Sequence, residues 1–308
     1  MLNTLSNVIN FGSLNIDYVY SVDHISVPGE SLVSDEMEIF PGGKGLNQSI
    51  ALSRAGVSVR HAGTVGKDGD FLLDCLTERG VDIDLIKKQD EVPTGHAIIQ
   101  VDKNGQNSIV VFKGANFILT KGYIDSVFKT AGKDSLILLQ NETNLTDYII
   151  RRAKENQCIT AINPAPFDNS FFDCNIDLID ILILNEIEAE QMCGTDEPDS
   201  VMEYFNKKYP QMTVVLTLGE NGSVLSMNKK VYRHGIYQTR VEDTTAAGDT
   251  FIGYFLSGYM SKMQPEEILR YAATAAGIAV SKKGAATSIP TADEVLKIIN
   301  CLKSSTDV

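Results

Sequence analysis

Short apolar runs alternate with amphipathic segments along the chain. Val8 to Phe11, Val57 to Ala62, Ser135 to Gln140, Cys158 to Asn163, Ile179 to Leu184 and Thr213 to Leu218 are each bounded by polar or Gly-containing turns. Runs of this length and setting predict buried strands. Between them, Leu46, Ile50 and Ala55 recur near helical spacing before Gly56, and Phe71, Leu72, Cys75 and Leu76 form a stripe that ends at Gly80. This βα alternation predicts an α/β fold of three layers, with a mostly parallel central sheet flanked by helices.

Two regions switch to period-two alternation. Ala97 to Asp102 and Gln106 to Phe112 flank Asn104-Gly105, a hairpin signal because that pair tolerates positive φ at both central positions. Ile16 to Val22 and Leu32 to Ile39 read as a second strand pair. Together they predict a small antiparallel β lid, residues 14–41 and 95–117, standing off a core of residues 1–13, 42–94 and 118–308. Beside a ligand site such a sheet would close over it.

Of the 308 residues, 43% are hydrophobic and 22% charged, and a chain of this size buries enough surface to need neither disulfides nor a structural metal. Lys plus Arg number 27 against 40 Asp plus Glu, a net charge of −13. That balance repels phosphate backbones and anionic lipid, so neither nucleic acid nor a membrane is expected as a partner. Any anionic ligand needs local help from a metal, a lysine or backbone N–H groups. The cysteines, Cys75, Cys158, Cys174, Cys193 and Cys301, are odd in number and irregularly spaced, and read as reduced core thiols. The first apolar stretch, broken by Asn7, Asn10, Ser13 and Asn15 and lacking a basic flank, reads as neither a signal nor a transit peptide. The expected location is cytoplasmic.

Common nucleotide fingerprints fail. Gly43-Lys44, Gly66-Lys67 and Gly132-Lys133 are followed by Gly, Asp and Asp rather than Ser or Thr, and no GxGxxG follows the first strand. The four histidines make no paired metal-ligand spacing. The run Asp243-Thr-Thr-Ala-Ala-Gly-Asp249 does stand out, because it leads into the apolar segment from Phe251. Small residues before a helix leave backbone N–H groups bare, and with the helix dipole these suit the charge on a transferring phosphoryl group. Asp249 in such a place is either a helix N-cap or a group with a chemical task. Pro164, Asn185 and Thr217 each follow a strand end, so their turns can converge at the carboxyl edge of one sheet.

Read together, these residues resemble the ribokinase-like family of carbohydrate kinases over nearly the whole chain. The N-terminal signature is similar to Pro41-Gly-Gly-Lys-Gly-Leu-Asn-Gln48 and the C-terminal one to Asp243–Asp249; Gly12 to Asp17, Asn163 to Pro166, Asn185 to Glu188, Thr217 to Gly219 and Lys283 to Ala285 follow in family order. The resemblance implies ATP-dependent phosphorylation of a sugar hydroxyl. Asp249 would take the hydroxyl proton, and the N–H groups of Ala246, Ala247 and Gly248 would stabilise the phosphoryl group. Asn185 and Glu188 would help hold the phosphates and their Mg²⁺ through water, although Asn-x-x-Glu is equally a helix capping arrangement. Thr217, Leu218, Gly219, Glu220, Asn221 and Gly222 would lie beside the nucleotide, or form a plain turn. Asp243, Thr245, Ala279, Lys282, Gly284 and Ser288 would frame a monovalent cation, K⁺.

For the sugar, the resemblance implies Asn15, Asp17, Gly43, Lys44, Gly45, Asn47, Glu142 and Asp249. Apart from it, Asn15 and Asp17 read as an Asx turn, Gly42-Gly43 as a tight turn and Glu142 as a solvated loop acid. The set is more similar to the ribose branch than to the fructose-phosphate or nucleoside branches, so the expected reaction is transfer to O5 of a pentose, D-ribose giving ribose 5-phosphate. Asn141, His96 and Gln100 depart from the pattern and leave 2-deoxyribose or another sugar open, and a non-catalytic sugar-binding regulator is the alternative of a different class. A homodimer through the lid strands is the implied assembly.

Overall fold

The computed structural model describes residues 7–306. The chain opens with β1 (Asn7–Phe11), leaves the core through β2 (Asn15–Ser21) and β3 (Glu36–Gly42), and returns at α1 (Lys44–Arg54) and β4 (Ser58–Ala62). β5 (Thr64–Gly66), α2 (Asp70–Glu78) and β6 (Lys87–Gln89) precede a second excursion, β7 (Gly95–Val101) and β8 (Asn107–Phe112). Alternation then resumes with α3 (Lys121–Phe128), β9 (Leu136–Gln140), α4 (Thr146–Glu155), β10 (Ile159–Asn163) and β11 (Ile181–Asn185). α5 (Glu186–Cys193), α6 (Pro198–Lys208), β12 (Thr213–Thr217), β13 (Ser223–Met227) and β14 (Lys230–His234) follow, and α7 (Ala247–Met260), α8 (Pro265–Val280) and α9 (Ala292–Thr306) end the chain's described part. Residues 1–6 and 307–308, the two ends of the expected core, lie outside the described residues.

All six predicted strands form and sit side by side in one eight-stranded sheet of order β14-β13-β12-β11-β10-β9-β1-β4, parallel from β12 to β4. The inner runs are largely apolar because alternate residues enter two different cores, whereas β4, at the sheet edge, leaves Ser58 exposed and Arg60 half-buried. Val8, Leu136, Leu138, Ala161, Ile183 and Val215 pack under α1, α2, α7 and α8, whereas Ile9, Ile137, Leu139, Ile162, Leu182 and Val214 pack under α3 to α6. A strand clothed on both faces has no polar side to show. β13 and β14 extend the sheet in antiparallel sense. Among the described residues no helix is long and apolar enough to cross a membrane.

The small sheet has order β3-β2-β7-β8. Its outer pairs are antiparallel hairpin partners, but the central pair, β2 with β7, is parallel, which refines the expected antiparallel sheet. Both strands leave the core in the same direction, and the crossover between them is the whole segment from β3 to β6. Two local expectations also change. Residues 32–35 are not strand, because the Ser34 hydroxyl donates to the Ser21 and Glu36 carbonyls and ends the ladder at the Ser21–Glu36 pair. Only Gly105 of the Asn104-Gly105 pair has positive φ (78°). Asp102 Oδ1 accepts from Asn104 N (2.8 Å) and Gln106 N (2.9 Å), which stabilises a longer turn than the two-residue one.

Candidate active site

The carboxyl ends of the parallel strands converge where the small sheet meets the core. Asp249 is not the N-cap of α7; Ala246 holds that place with φ 59°, and Asp249 lies in the first helical turn. Its side chain turns inward, 8% exposed, toward α1. There Asn47 Nδ2 donates to Asp249 Oδ2 (3.1 Å) and Gln48 Nε2 to Oδ1 (2.9 Å). The two helices can approach this closely because of Gly253, whose added Cβ would sit 2.4 Å from Ala51 Cβ. Of the three expected N–H donors, Ala247 is already engaged with Thr244 O (3.2 Å), while Ala246 and Gly248 line the cleft in front of Asp249.

That cleft has a volume of about 230 Å³, and Lys44, Asn185, Glu188 and Thr217 share it with Asp249. Lys44 begins α1, where burial disfavours its charge, but the carboxylates of Asp249, Glu142 and Glu188 outweigh that and raise its pKa. The ammonium stays protonated at neutral pH. Asn185 and Glu188 form a full capping box on α5: Asn185 Oδ1 accepts from Glu188 N (2.9 Å) and Glu188 Oε2 from Asn185 N (3.0 Å). Capping and a place at the cleft are therefore compatible. Burial pushes the Glu188 carboxyl above its ordinary range, against the pull of the Asn185 N–H and Lys44.

The loop after β1 and the start of α1 are in backbone contact. A Cβ on Gly45 would lie 2.3 Å from Ser13 N and 2.5 Å from Gly12 Cα, and one on Gly42 would lie 2.0 Å from Asp17 Oδ2. Gly43 at φ 95° makes the turn between β3 and α1. Glu142 Oε2 accepts from Lys44 N (3.1 Å) and from the Ser13 hydroxyl, so it is a fixed acid and not a solvated one. Burial raises its pKa, against the pull of Lys44. Asp17, on β2, is pushed up from 3.8 to about 7 by burial and then by Glu142. Asn15, Asp17, Gly43, Lys44, Gly45, Asn47 and Glu142 thus gather on one side of Asp249.

The remaining expected residues divide. Thr217 reaches the cleft, Leu218 and Asn221 line a separate hollow beside Arg233 and His234, and Gly219 and Glu220 are exposed on a short 3₁₀ turn. Gly222, φ 92°, closes that turn, where a Cβ would lie 2.1 Å from His234 O. Asp243 ties its loop to the one after α8, accepting from Thr245 N (2.9 Å) and Gly284 N (2.9 Å). In that second loop Ala279 O accepts from Lys282 N (3.0 Å), Lys282 Nζ pairs with Glu294 (3.1 Å), and the Ser288 hydroxyl donates to Ala285 O (2.8 Å). Among the described residues, no cluster of three or more His, Cys, Asp or Glu is placed to hold a metal ion.

Each departure from the pattern is occupied with structure. Asn141 Nδ2 donates to Pro166 O (2.8 Å) and Asp168 Oδ2 (3.2 Å). His96 packs against the rings of Tyr18 and Phe112, and Gln100 bonds Ser26. In register, Asp17 aligns with Phe40, Ala97 and Val111, so His96 and Gln100 point to the opposite face of the small sheet. Sequence reasoning missed Asn116 and Gln140, and named Gln48 only within the N-terminal signature, without a role. Asn116 Oδ1 accepts from Leu14 N (2.9 Å), and its Nδ2 donates to Asn15 Oδ1 (2.8 Å), so it orients the Asn15 amide. Gln140 ends an otherwise apolar strand and Gln48 sits in the Leu46–Ile50 stripe, and an amide in an apolar stripe is the signal that could have found them.

Comparisons with known proteins point one way. The model of the pfkB family of carbohydrate kinases matches residues 5–292. A ribokinase of Haemophilus influenzae is 35% identical over 297 residues, covering 94% of this chain and 96% of its own. Among solved structures, a Cryptococcus neoformans ribokinase in complex with ADP superimposes with a TM-score of 0.86 at 30% identity, covering 96% of this chain and 99% of that one. An Arabidopsis thaliana ribokinase complexed with ribose and ATP gives 0.83 at 28% identity, covering 96% and 98%.

Proposed function

Since this chain belongs to the pfkB family of carbohydrate kinases, we propose that it phosphorylates O5 of D-ribose with ATP, yielding ribose 5-phosphate and ADP. It is a phosphotransferase with an alcohol acceptor. One observation carries the reading: Asp249 stands in the cleft with Lys44 and is hydrogen-bonded to Asn47, so the acid and the sugar-side residues of α1 form one unit. Asn47 Oδ1 is buried with no partner among the described residues, which fits an acceptor waiting for a ligand hydroxyl. The departures at Asn141, His96 and Gln100 are turned away from Asp17 or bonded elsewhere, which favours ribose over a less usual sugar.

In this reading Asn15, Asp17, Gly43, Gly45, Asn47 and Glu142 bind the sugar hydroxyls, and the small sheet closes over them to exclude water. The carboxylate of Asp249 takes the proton of the O5 hydroxyl as the O5–Pγ bond forms and the bond from Pγ to the ADP oxygen breaks. The N–H groups of Ala246 and Gly248, at the positive end of α7, and the Lys44 ammonium stabilise the charge on the phosphoryl oxygens. Thr217 to Gly222 and Asn185 flank the nucleotide. Glu188, the cleft carboxylate other than the base Asp249, fits a Mg²⁺ that keeps its waters and takes its other ligands from phosphates. When bound, such an ion neutralises phosphate charge. Asp243 and the main chain of Thr245, Ala279, Lys282, Gly284 and Ser288 would hold K⁺. The working protein is a cytoplasmic homodimer, joined through small-sheet strands that leave Ile109, Val110, Val111 and Phe112 exposed.

A coupled ADP-release assay tests this reading with ribose, 2-deoxyribose, fructose phosphates and nucleosides. Ribose is expected to give the highest kcat/KM; faster turnover of a nucleoside, or ribose binding without ADP release at saturating Mg²⁺ and K⁺, would refute the assignment. Asp249→Asn should retain nucleotide affinity but lower kcat by at least ~10²-fold. Turnover within about tenfold of wild type would exclude Asp249 as the base.

A further inference from the structure

Behind Asp249 lies a chain of buried amides, of which only Asn163 lines the cleft. Gln48 is fully buried. Its Nε2 donates to Asp249 Oδ1 (2.9 Å), and its Oε1 accepts from Gln140 Nε2 (2.7 Å). Gln140 Nε2 also donates to Asn10 Oδ1 (3.0 Å), and Asn10 Nδ2 donates in turn to Gly45 O (2.8 Å) and Ser49 Oγ (2.9 Å). A fourth amide joins Gln48 from the other side: Asn163 Nδ2 donates to Ile183 O (3.0 Å), so its Oδ1 faces Gln48 Nε2 at 3.4 Å.

The direction of these bonds is not arbitrary. A backbone carbonyl can only accept, so Gly45 O forces Asn10 to present its NH₂ there and its Oδ1 to Gln140. Gln140 then offers NH₂ to Gln48, which must answer with Oε1. The NH₂ of Gln48 is left facing Asp249, and Ile183 O imposes the same sense from the other side through Asn163. Two main-chain carbonyls in β11 and α1 therefore deliver a donor, not an acceptor, to one oxygen of the carboxylate.

We infer that Gln48 is a positioning residue: it holds the Asp249 carboxylate in one orientation by occupying Oδ1, leaving Oδ2, shared with Asn47, turned to the reacting hydroxyl. This rests on the reading of Asp249 as the base. A side chain that sets the direction of a base acts on kcat rather than on substrate affinity.

The test is a double-mutant cycle between Gln48→Met and Asp249→Asn, with kcat, both KM values and ADP-induced thermal shift measured for each variant. Gln48→Met is expected to lower kcat by at least ~10-fold in the wild-type background with KM values within ~3-fold, and to change the residual kcat of Asp249→Asn less than ~2-fold. An equal loss in both backgrounds marks a merely structural residue and overturns the inference, as does unchanged kcat. If Asp249→Asn alone remains active, both this inference and the base assignment fall; if it collapses while Gln48→Met does not, only this inference falls. Should Gln48→Met not fold, Gln48→Leu removes the same donor, and the same cycle is read with it.

Discussion

Asp17 offers the sharpest test of the sugar pocket, because its acidity and its role pull in opposite directions. Burial and the neighbouring Glu142 raise its pKa from 3.8 to about 7. At ~1.4 kcal/mol per unit, the ionised carboxylate costs the free protein at most about 4 kcal/mol. The native state therefore holds its proton more tightly than the unfolded chain does, and stability falls as pH rises from about 4 to about 7, then levels off. Asp17→Asn, neutral throughout, should be equal in stability to wild type near pH 4 and more stable by several degrees in Tm at pH 8. Sugar binding should show the converse, since hydroxyl donors need the ionised carboxylate. The ionised fraction near pH 6 is about one tenth and near pH 8 about nine tenths, so the apparent Kd for ribose should tighten by roughly tenfold over that span. Calorimetry in two buffers of different ionisation enthalpy should detect proton release on binding near neutral pH. An affinity that is flat from pH 5.5 to 8.5, with no proton exchange, would refute the reasoning, as would an Asp17→Asn variant whose stability tracks wild type at every pH.

Two further outcomes follow from backbone contacts and buried amides. Gly45→Ala must push the Gly12-Ser13 backbone away by about 1 Å, since a Cβ at 2.3 Å from Ser13 N meets main chain rather than a movable side chain; the expected cost is ~1–3 kcal/mol in denaturant unfolding and ~10²-fold in kcat/KM. Asn116→Ala removes the partner of Leu14 N and frees the Asn15 amide; steady-state kinetics should show the KM for ribose raised about tenfold with the KM for ATP unchanged, at ~1–3 kcal/mol of stability.

How much of this was legible in the chain differs between its parts. The inner core strands were visible because each buries both faces, so their runs are largely apolar, and α1 and α2 each carry one apolar stripe. The hairpin of β7 and β8 announced itself through Asn104-Gly105, although the turn that forms depends on the Asp102 carboxylate, a local bond that alternation does not encode. Residues 32–35 looked like strand by pattern and are not, because a single Ser34 hydroxyl ends the ladder.

For the site, sequence alone carried the motifs: the small residues before Asp249, Gly42 to Asn47, and the Asn185–Glu188 spacing, whose capping box is a matter of neighbours on one helical turn. It could not carry the bond from Asn47 to Asp249, 202 residues away, or the amide chain through Gln140 and Asn10. Nor could it reveal that Ala247, alone among the three expected donors, is already bonded. Hydrophobic periodicity is a property of adjacent residues and survives in one dimension. The direction of an amide and the acidity of Asp17 belong to groups that meet only when β1, β9, α1 and α7 come into contact, and only there does burial set which atom donates and which charge is tolerated.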